Sequence, residues 1–238
     1  MKDLFGKAIL DFQTNNNPEN IITETSISEA DEMSVSYLFR SFDEMPKIEQ
    51  KALELASGKV LDVGCGAGSH SLYLQKERNL DVVSIDISNN AVLACAERGL
   101  EQCYVQDLMT MTDEDGKYDS ILLLMNGCGL AGTMKKLPAF LQKLKSLLNV
   151  DGQILIDSSD IIYMFDEDED GGRWISNEAE YYGEVTFDIS YKGEKEDTFD
   201  WLYIDYNTLQ NASYANGLKA EMILEGEHYD YLSKLTHL

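Results

Sequence analysis

The stretch Lys59-Val60-Leu61-Asp62-Val63-Gly64-Cys65-Gly66-Ala67-Gly68 constrains this chain more than any other. A short apolar run meets three glycines at alternate positions, and a helical pattern begins near Ser69. The reading is strand, tight turn, helix start. Glycine carries no Cβ, so a ligand can lie directly on such a backbone. The first N–H groups of the helix lack intrahelical partners and favour an anionic group.

The rest of the chain says how large a fold surrounds that turn. At 238 residues and 44% hydrophobic composition, one large domain with accessory parts is expected. No apolar run approaches the roughly 20 residues of a membrane span, and Met1–Leu10 is too mixed for a signal peptide. The net charge of −24 repels phosphate backbones and anionic membranes, so neither nucleic acid nor a membrane is expected as a partner. Cys65, Cys95, Cys103 and Cys128 have no CxxC spacing and read as reduced core thiols of a cytoplasmic protein. The acidic run Asp166-Glu167-Asp168-Glu169-Asp170 lacks the EF-hand pattern and reads as a solvated loop.

Residues 1–56 read as an N-terminal helical cap. Met33, Tyr37, Leu38 and Phe42 lie close to helical spacing within Ser28–Phe42. Pro46 opens a second helix that ends at Gly58. Residues 57–160 alternate strand and helix. Strands are expected at Val60–Val63, Val82–Asp86, Cys103–Gln106, Tyr118–Met125 and Gln153–Asp157. Helices are expected from about Ala67, from Ser88 as N-cap to Gly99, and over Met134–Leu148. The near-continuous apolar strands imply a parallel sheet covered on both faces. Residues 161–238 change character. Tyr182–Tyr191 and Phe199–Tyr206 read as a β-hairpin, followed by a helix near Thr208–Ala215 and a last strand at Leu218–Gly226. This C-terminal part is expected to complete the same sheet. The fold class is α/β, doubly wound and mostly parallel, with antiparallel C-terminal strands and an extra hairpin.

A dinucleotide fingerprint requires G-x-G-x-x-G, but the sixth position here is Ser69. Asp86 ends the second strand, where a carboxylate can accept from both hydroxyls of a ribose. The turn alone does not separate a nicotinamide cofactor from another adenosyl cofactor. Four further segments follow in order: Ser84-Ile85-Asp86-Ile87-Ser88, Gln106-Asp107-Leu108, Tyr118 to Asn126, and Leu147 to Ile156. Together with the glycine turn, they resemble the motifs of class I S-adenosylmethionine (SAM) dependent methyltransferases over about residues 47–160.

The resemblance implies a seven-stranded sheet of order 3-2-1-4-5-7-6, counted from the glycine motif, and SAM as cofactor. It also implies roles. Gly64, Gly66 and Gly68 line the methionine part, with Cys65 packed between them, and Asp62 orients the loop. Asp86 holds the ribose, Ile87 covers the adenine, Asp107 accepts from its amino group, and the Leu108 backbone meets the ring edge. Asn126, or the Met125 carbonyl, sits near the methionine amine.

Methyl transfer is a displacement in which the cofactor supplies the electrophile. No metal is required, and no HxxxH or CxxC spacing suggests one. The resemblance places the acceptor, expected to be a small molecule, among the cap and the inserts. Tyr37, Arg40 and Tyr182 are the candidate contacts, with Phe39, Cys128, Tyr181 and Trp201 behind them. No catalytic base, acceptor identity or oligomeric state follows from the residues. Two other readings stand at this point: a nicotinamide oxidoreductase and a SAM-binding protein without turnover.

Overall fold

The computed structural model describes residues 2–166, 168, 172–173 and 180–238. Glu167, Glu169 and Asp170 of the acidic run lie outside them. The chain begins with helix α1 (Leu4–Gln13) and strands β1 (Ile21–Thr25) and β2 (Ser28–Met33), followed by helix α2 (Lys47–Leu55). The alternating unit comprises β3 (Lys59–Val63), α3 (Ser69–Lys76), β4 (Asp81–Asp86), α4 (Asn89–Arg98) and β5 (Cys103–Val105). It continues with β6 (Tyr118–Leu123), α5 (Leu137–Leu147) and β7 (Leu148–Ser159). The last third holds β8 (Glu184–Tyr191), β9 (Glu194–Lys195), β10 (Phe199–Leu202), α6 (Tyr206–Ala215), β11 (Leu218–Glu225) and β12 (Asp230–His237).

The main sheet has the order β11-β12-β7-β6-β3-β4-β5. Counted from β3 and read from the β5 edge, this is 3-2-1-4-5-7-6. β3 pairs in parallel with β4 and β6, whereas β12 runs antiparallel to β7 and β11. The period-2 alternation along each strand separates two cores. Leu61, Val83, Ile121 and Ile154 pack with Phe140, Leu141 and Leu144 of α5. Val60, Val82, Leu122 and Leu155 pack with Leu53 of α2 and Leu74 of α3 on the other face. Local signals set the helix ends. Ser88 Oγ accepts from the Ala91 N–H at 2.9 Å, and Gly99 ends α4 in the left-handed region at φ 90°. Asp205 caps α6 by accepting from the Thr208 N–H at 3.0 Å.

Three expectations need correction. The N-terminal part is not purely helical: β1 and β2 form an antiparallel hairpin with Ile21 opposite Met33. Residues Val35–Phe39 form a short 3-10 helix. The apparent helical spacing from Met33 to Phe42 joins the end of a strand to this tight turn, and Ser28–Glu32 are exposed edge residues with no apolar period to find.

The hairpin at Tyr182–Tyr206 does not extend the main sheet. β8 pairs with β1, giving a second sheet of order β10-β8-β1-β2 with β9 beside β8. A non-local pairing of this kind leaves no mark on the local sequence of either partner. The main sheet instead closes with β12, outside the elements expected from sequence. β12 lies between β7 and β11, and the buried Ser233 and half-buried Lys234 interrupt its apolar pattern.

The second sheet packs on α1 through Leu4, Ala8, Ile21, Ile189 and Tyr191. α1 in turn packs on α4 and Ala67, so both stand over the carboxyl ends of the parallel strands. Among the described residues, no helix is long and apolar enough to cross a membrane.

Candidate active site

The glycine turn has the backbone its sequence requires. Gly64, Gly66 and Gly68 have φ of 71°, 53° and 79°, a region L side chains rarely adopt. The space around them differs. A Cβ built on Gly64 meets Leu130 Cδ1 at 3.6 Å, and one on Gly66 meets only Ile9 Cδ1 at 4.0 Å. A Cβ on Gly68 runs into Leu100 Cδ1 at 2.7 Å and Cys95 Sγ at 2.8 Å. A Cβ on either of the first two glycines would therefore sit at ordinary van der Waals contact, whereas the third serves close packing at the start of α3.

Two carboxylates hold the turn from either side. Asp62 is buried and accepts from Ser71 Oγ at 2.5 Å, which ties α3 to β3. Burial raises its pKa, partly offset by nearby His70 and by the Ser71 bond. Asp86 Oδ2 accepts from the Gly66 N–H at 2.9 Å, and its Oδ1 accepts from the Ser88 N–H at 2.8 Å. Burial raises the Asp86 pKa, and those two N–H groups oppose the rise.

Ile87, next in the chain, is 61% exposed, which rules out core filling. Asp107 Oδ1 accepts from the Met109 N–H at 2.8 Å and caps a 3-10 turn. The Leu108 side chain is buried in the main core. Asp86 ends β4 and Asp107 comes just after β5, so both stand at the carboxyl ends of adjacent parallel strands, the edge where ligands bind in open α/β sheets.

After β6, Met125 and Asn126 both have positive φ, 66° and 59°. Asp157, at the carboxyl end of β7, holds this strained turn. Its Oδ2 accepts from the Met125 N–H at 3.1 Å and its Oδ1 from the Gly127 N–H at 2.9 Å. Burial pushes the Asp157 carboxyl up to about 6. Asn126 Oδ1 accepts from Ser159 Oγ at 2.9 Å.

Beyond this turn a cavity of about 470 Å³ opens beneath the second sheet. Tyr37, Glu49, Asn126, Asp157, Tyr163 and Tyr203 are among its walls. Met125 lines the cavity and also packs against the cluster of Ile9, Leu38, Ala67, Ala91 and Ala94, which includes a residue of the glycine turn.

Of the residues expected around the acceptor, Tyr37 and Asn126 line the cavity, whereas Arg40 and Tyr182 do not. Arg40 is buried and donates from Nη2 to Glu49 at 2.5 Å, from Nη1 to the Tyr37 carbonyl, and stacks 3.9 Å from the Tyr37 ring centroid. The Tyr182 hydroxyl donates to Asp160 at 2.7 Å, and its ring packs on Tyr181. Trp201 lies against Gly129 and Phe187, and Cys128 is fully buried.

His70 is also committed, with Nε2 2.6 Å from Glu49 Oε2. Burial pulls the imidazole down, but the Glu49 carboxylate more than offsets this, so its pKa is raised. Sequence reasoning missed Glu49, Asp157, Tyr163 and Tyr203 as cavity residues. Asp157 was within reach, since it ends a parallel strand as Asp86 does. Tyr203 follows β10, whose sheet was misplaced.

A doubly wound sheet with a glycine cradle and two strand-end carboxylates defines a nucleotide-cofactor protein of the Rossmann-like class. The methyltransferase domain family matches residues 55–213, well over half of the chain. A SAM-dependent methyltransferase from Bacteroides fragilis, in complex with S-adenosyl-L-homocysteine, superposes with a TM-score of 0.90 and 44% identity. That match covers 99% of this chain and 95% of the other. The CcbJ methyltransferase from Streptomyces caelestis shares the fold at a TM-score of 0.64 and 12% identity, over 82% of this chain and 94% of its own. Phosphoethanolamine N-methyltransferase 1 from Zea mays is 38% identical over 68 residues, which are 26% of this chain and 14% of the plant protein. This chain therefore matches only a small part of that relative's length. The chain belongs to the class I SAM-dependent methyltransferase family, and its cofactor is SAM.

Proposed function

We propose that this protein transfers the methyl group of SAM to a small-molecule acceptor held in the cavity beneath the second sheet. The carrying observation is the Met125-Asn126 turn, which lines that cavity while Met125 also packs against the cluster that includes Ala67 of the glycine turn. The bound cofactor supplies an electrophilic methyl on a sulfonium. The uncrowded faces of Gly64 and Gly66 fit a ligand lying on the backbone. Asp86 accepts from the ribose hydroxyls, exposed Ile87 covers the adenine, Asp107 accepts from the adenine amino group, and the Leu108 backbone meets the ring edge. Asn126 and the Met125 carbonyl receive the methionine amine. Asp62 and Asp157 position the two turns, Asp62 through the Ser71 hydroxyl and Asp157 through the Met125 and Gly127 N–H groups.

The chain's contribution to rate is alignment of the acceptor with the methyl group and exclusion of water. A cavity of this size suits a small molecule. The net charge of −24 disfavours nucleic acid and anionic membranes. Four free cysteines support a reducing, cytoplasmic setting.

The test is a labelled-methyl screen. The protein, SAM carrying a labelled methyl, and small-molecule pools are incubated, and labelled product and S-adenosyl-L-homocysteine are measured. Transfer at a rate that falls on Tyr37→Ala supports the reading. Tight SAM binding with no transfer to any pool would instead favour a binding protein without turnover.

A further inference from the structure

Three of the four cysteines converge although they are far apart in sequence. Cys65 lies in the glycine turn, Cys95 on α4 and Cys103 at the start of β5. Parallel pairing of β3 with β4 and of β4 with β5 brings them to one edge of the sheet. Cys65 Sγ is 3.9 Å from Cys95 Sγ and 3.8 Å from Cys103 Sγ, and all three sulfurs lie within 4.8 Å of one another. Cys65 and Cys95 are buried beside Leu72 and Leu100, and Cys103 is half-buried. No role in methyl transfer requires three thiols here.

We propose that Cys65, Cys95 and Cys103 form a three-thiolate site for a soft d10 cation, the cuprous ion. Metal–sulfur bonds of about 2.3 Å set the sulfurs of a trigonal site roughly 4 Å apart. Two of the observed spacings meet this and the third lies within 4.8 Å, so an ion among the sulfurs replaces S–H protons with little movement of the side chains. The donor set is sulfur alone, which selects soft ions over magnesium, calcium or manganese. Zinc takes four ligands in its structural sites, and the cluster offers three. Binding forms three Cu–S bonds, breaks three S–H bonds and releases three protons to solvent. Arg98 offsets part of the resulting negative charge. It lies on α4 with Cys95, and its guanidinium is anchored on the Ala67 carbonyl and on Ser69 Oγ beside the cluster. Cys103, the least buried thiol, gives the ion its way in.

The test is anaerobic titration of the full chain with cuprous ion against a chromophoric cuprous chelator, with X-ray absorption at the copper edge. One equivalent bound with three sulfur neighbours at about 2.3 Å supports the site. Cys103→Ser should weaken binding by more than the roughly 10- to 100-fold that loss of an outer-shell partner costs. Cys128→Ser, outside the cluster, should leave it unchanged. On the unaltered chain, cuprous ion should protect Cys103 from alkylation, which needs no variant to fold. Failure to compete with the chelator, full retention in Cys103→Ser, or alkylation unaffected by copper would overturn the proposal. Equal or tighter binding of zinc alone would overturn the choice of ion.

Discussion

Asp157 shows how one carboxylate can be structural and titratable at once. Its usual value is 3.8, and burial moves it to about 6 in the folded chain. Between those values the folded state keeps a proton that the unfolded state releases. Its contribution is therefore fully present below about pH 4 and is lost as pH rises through about 6, a swing of about 3 kcal/mol. Asp157→Asn cannot titrate. Urea unfolding at pH 5 and pH 7.5 should show the unaltered chain losing stability relative to the variant across that interval; parallel slopes would remove the assignment. Asp86 poses a different question, because the carboxylate proposed to accept from the ribose also accepts from the Gly66 and Ser88 N–H groups. Asp86→Ala should weaken S-adenosyl-L-homocysteine binding about 10- to 100-fold, the worth of a hydrogen bond to a charged group. Calorimetric titration checks this, and unchanged affinity would refute the ribose assignment.

At the scale of elements, the glycine turn separates ligand contact from packing. Gly68→Ala meets both an unfavourable φ and the Leu100 and Cys95 side chains, so it should cost about 2–5 kcal/mol of stability. Gly66→Ala meets only an ordinary contact with Ile9, so its stability cost should stay near the roughly 1–2 kcal/mol expected of backbone strain, while ligand affinity falls. Denaturant unfolding paired with calorimetry tests the contrast, and the reverse ranking would refute it. α2 is tied to the 3-10 turn through Glu49, which Arg40 and His70 both contact. Burial opposes ionisation of Glu49, but His70 and Arg40 more than compensate and lower its pKa. Glu49→Ala strands a buried guanidinium and should cost about 3–5 kcal/mol, read from the midpoint of denaturant unfolding. A loss below about 1 kcal/mol, the range of surface pairs, would show that the network is not held dry.

For the whole molecule, ligand linkage is the direct check on the cofactor. S-adenosyl-L-homocysteine at a hundred times its Kd should stabilise the chain by about 2.7 kcal/mol and raise Tm accordingly. NAD should leave Tm unchanged, and the opposite pattern would contradict the cofactor assignment. The two sheets divide this assembly. The main sheet and α3–α4 hold the cofactor crevice, and the second sheet roofs the cavity. β1 precedes the crevice in sequence and β8 follows it, yet they pair to make that roof. The cavity proposed for the acceptor therefore depends on a contact that closes late along the chain.

What could be read from residues alone follows from where each signal lives. The strand, turn and helix around Gly64 and the strand-end positions of Asp86 and Asp107 rest on local patterns: apolar runs, positive-φ glycines and N-caps, whereas the strand order came from the resemblance to a family. A local pattern is carried by neighbours in the chain, so the elements that carry the proposed cofactor residues were legible. The β1–β8 pairing, the burial of Arg40 against Glu49, the gathering of Tyr37, Tyr163, Tyr203 and Asp157 around one cavity, and the cluster of Cys65, Cys95 and Cys103 join residues up to 168 positions apart, with no local pattern to announce them. Only tertiary packing decides them, because a long-range contact is selected by the shape and burial of both partners together.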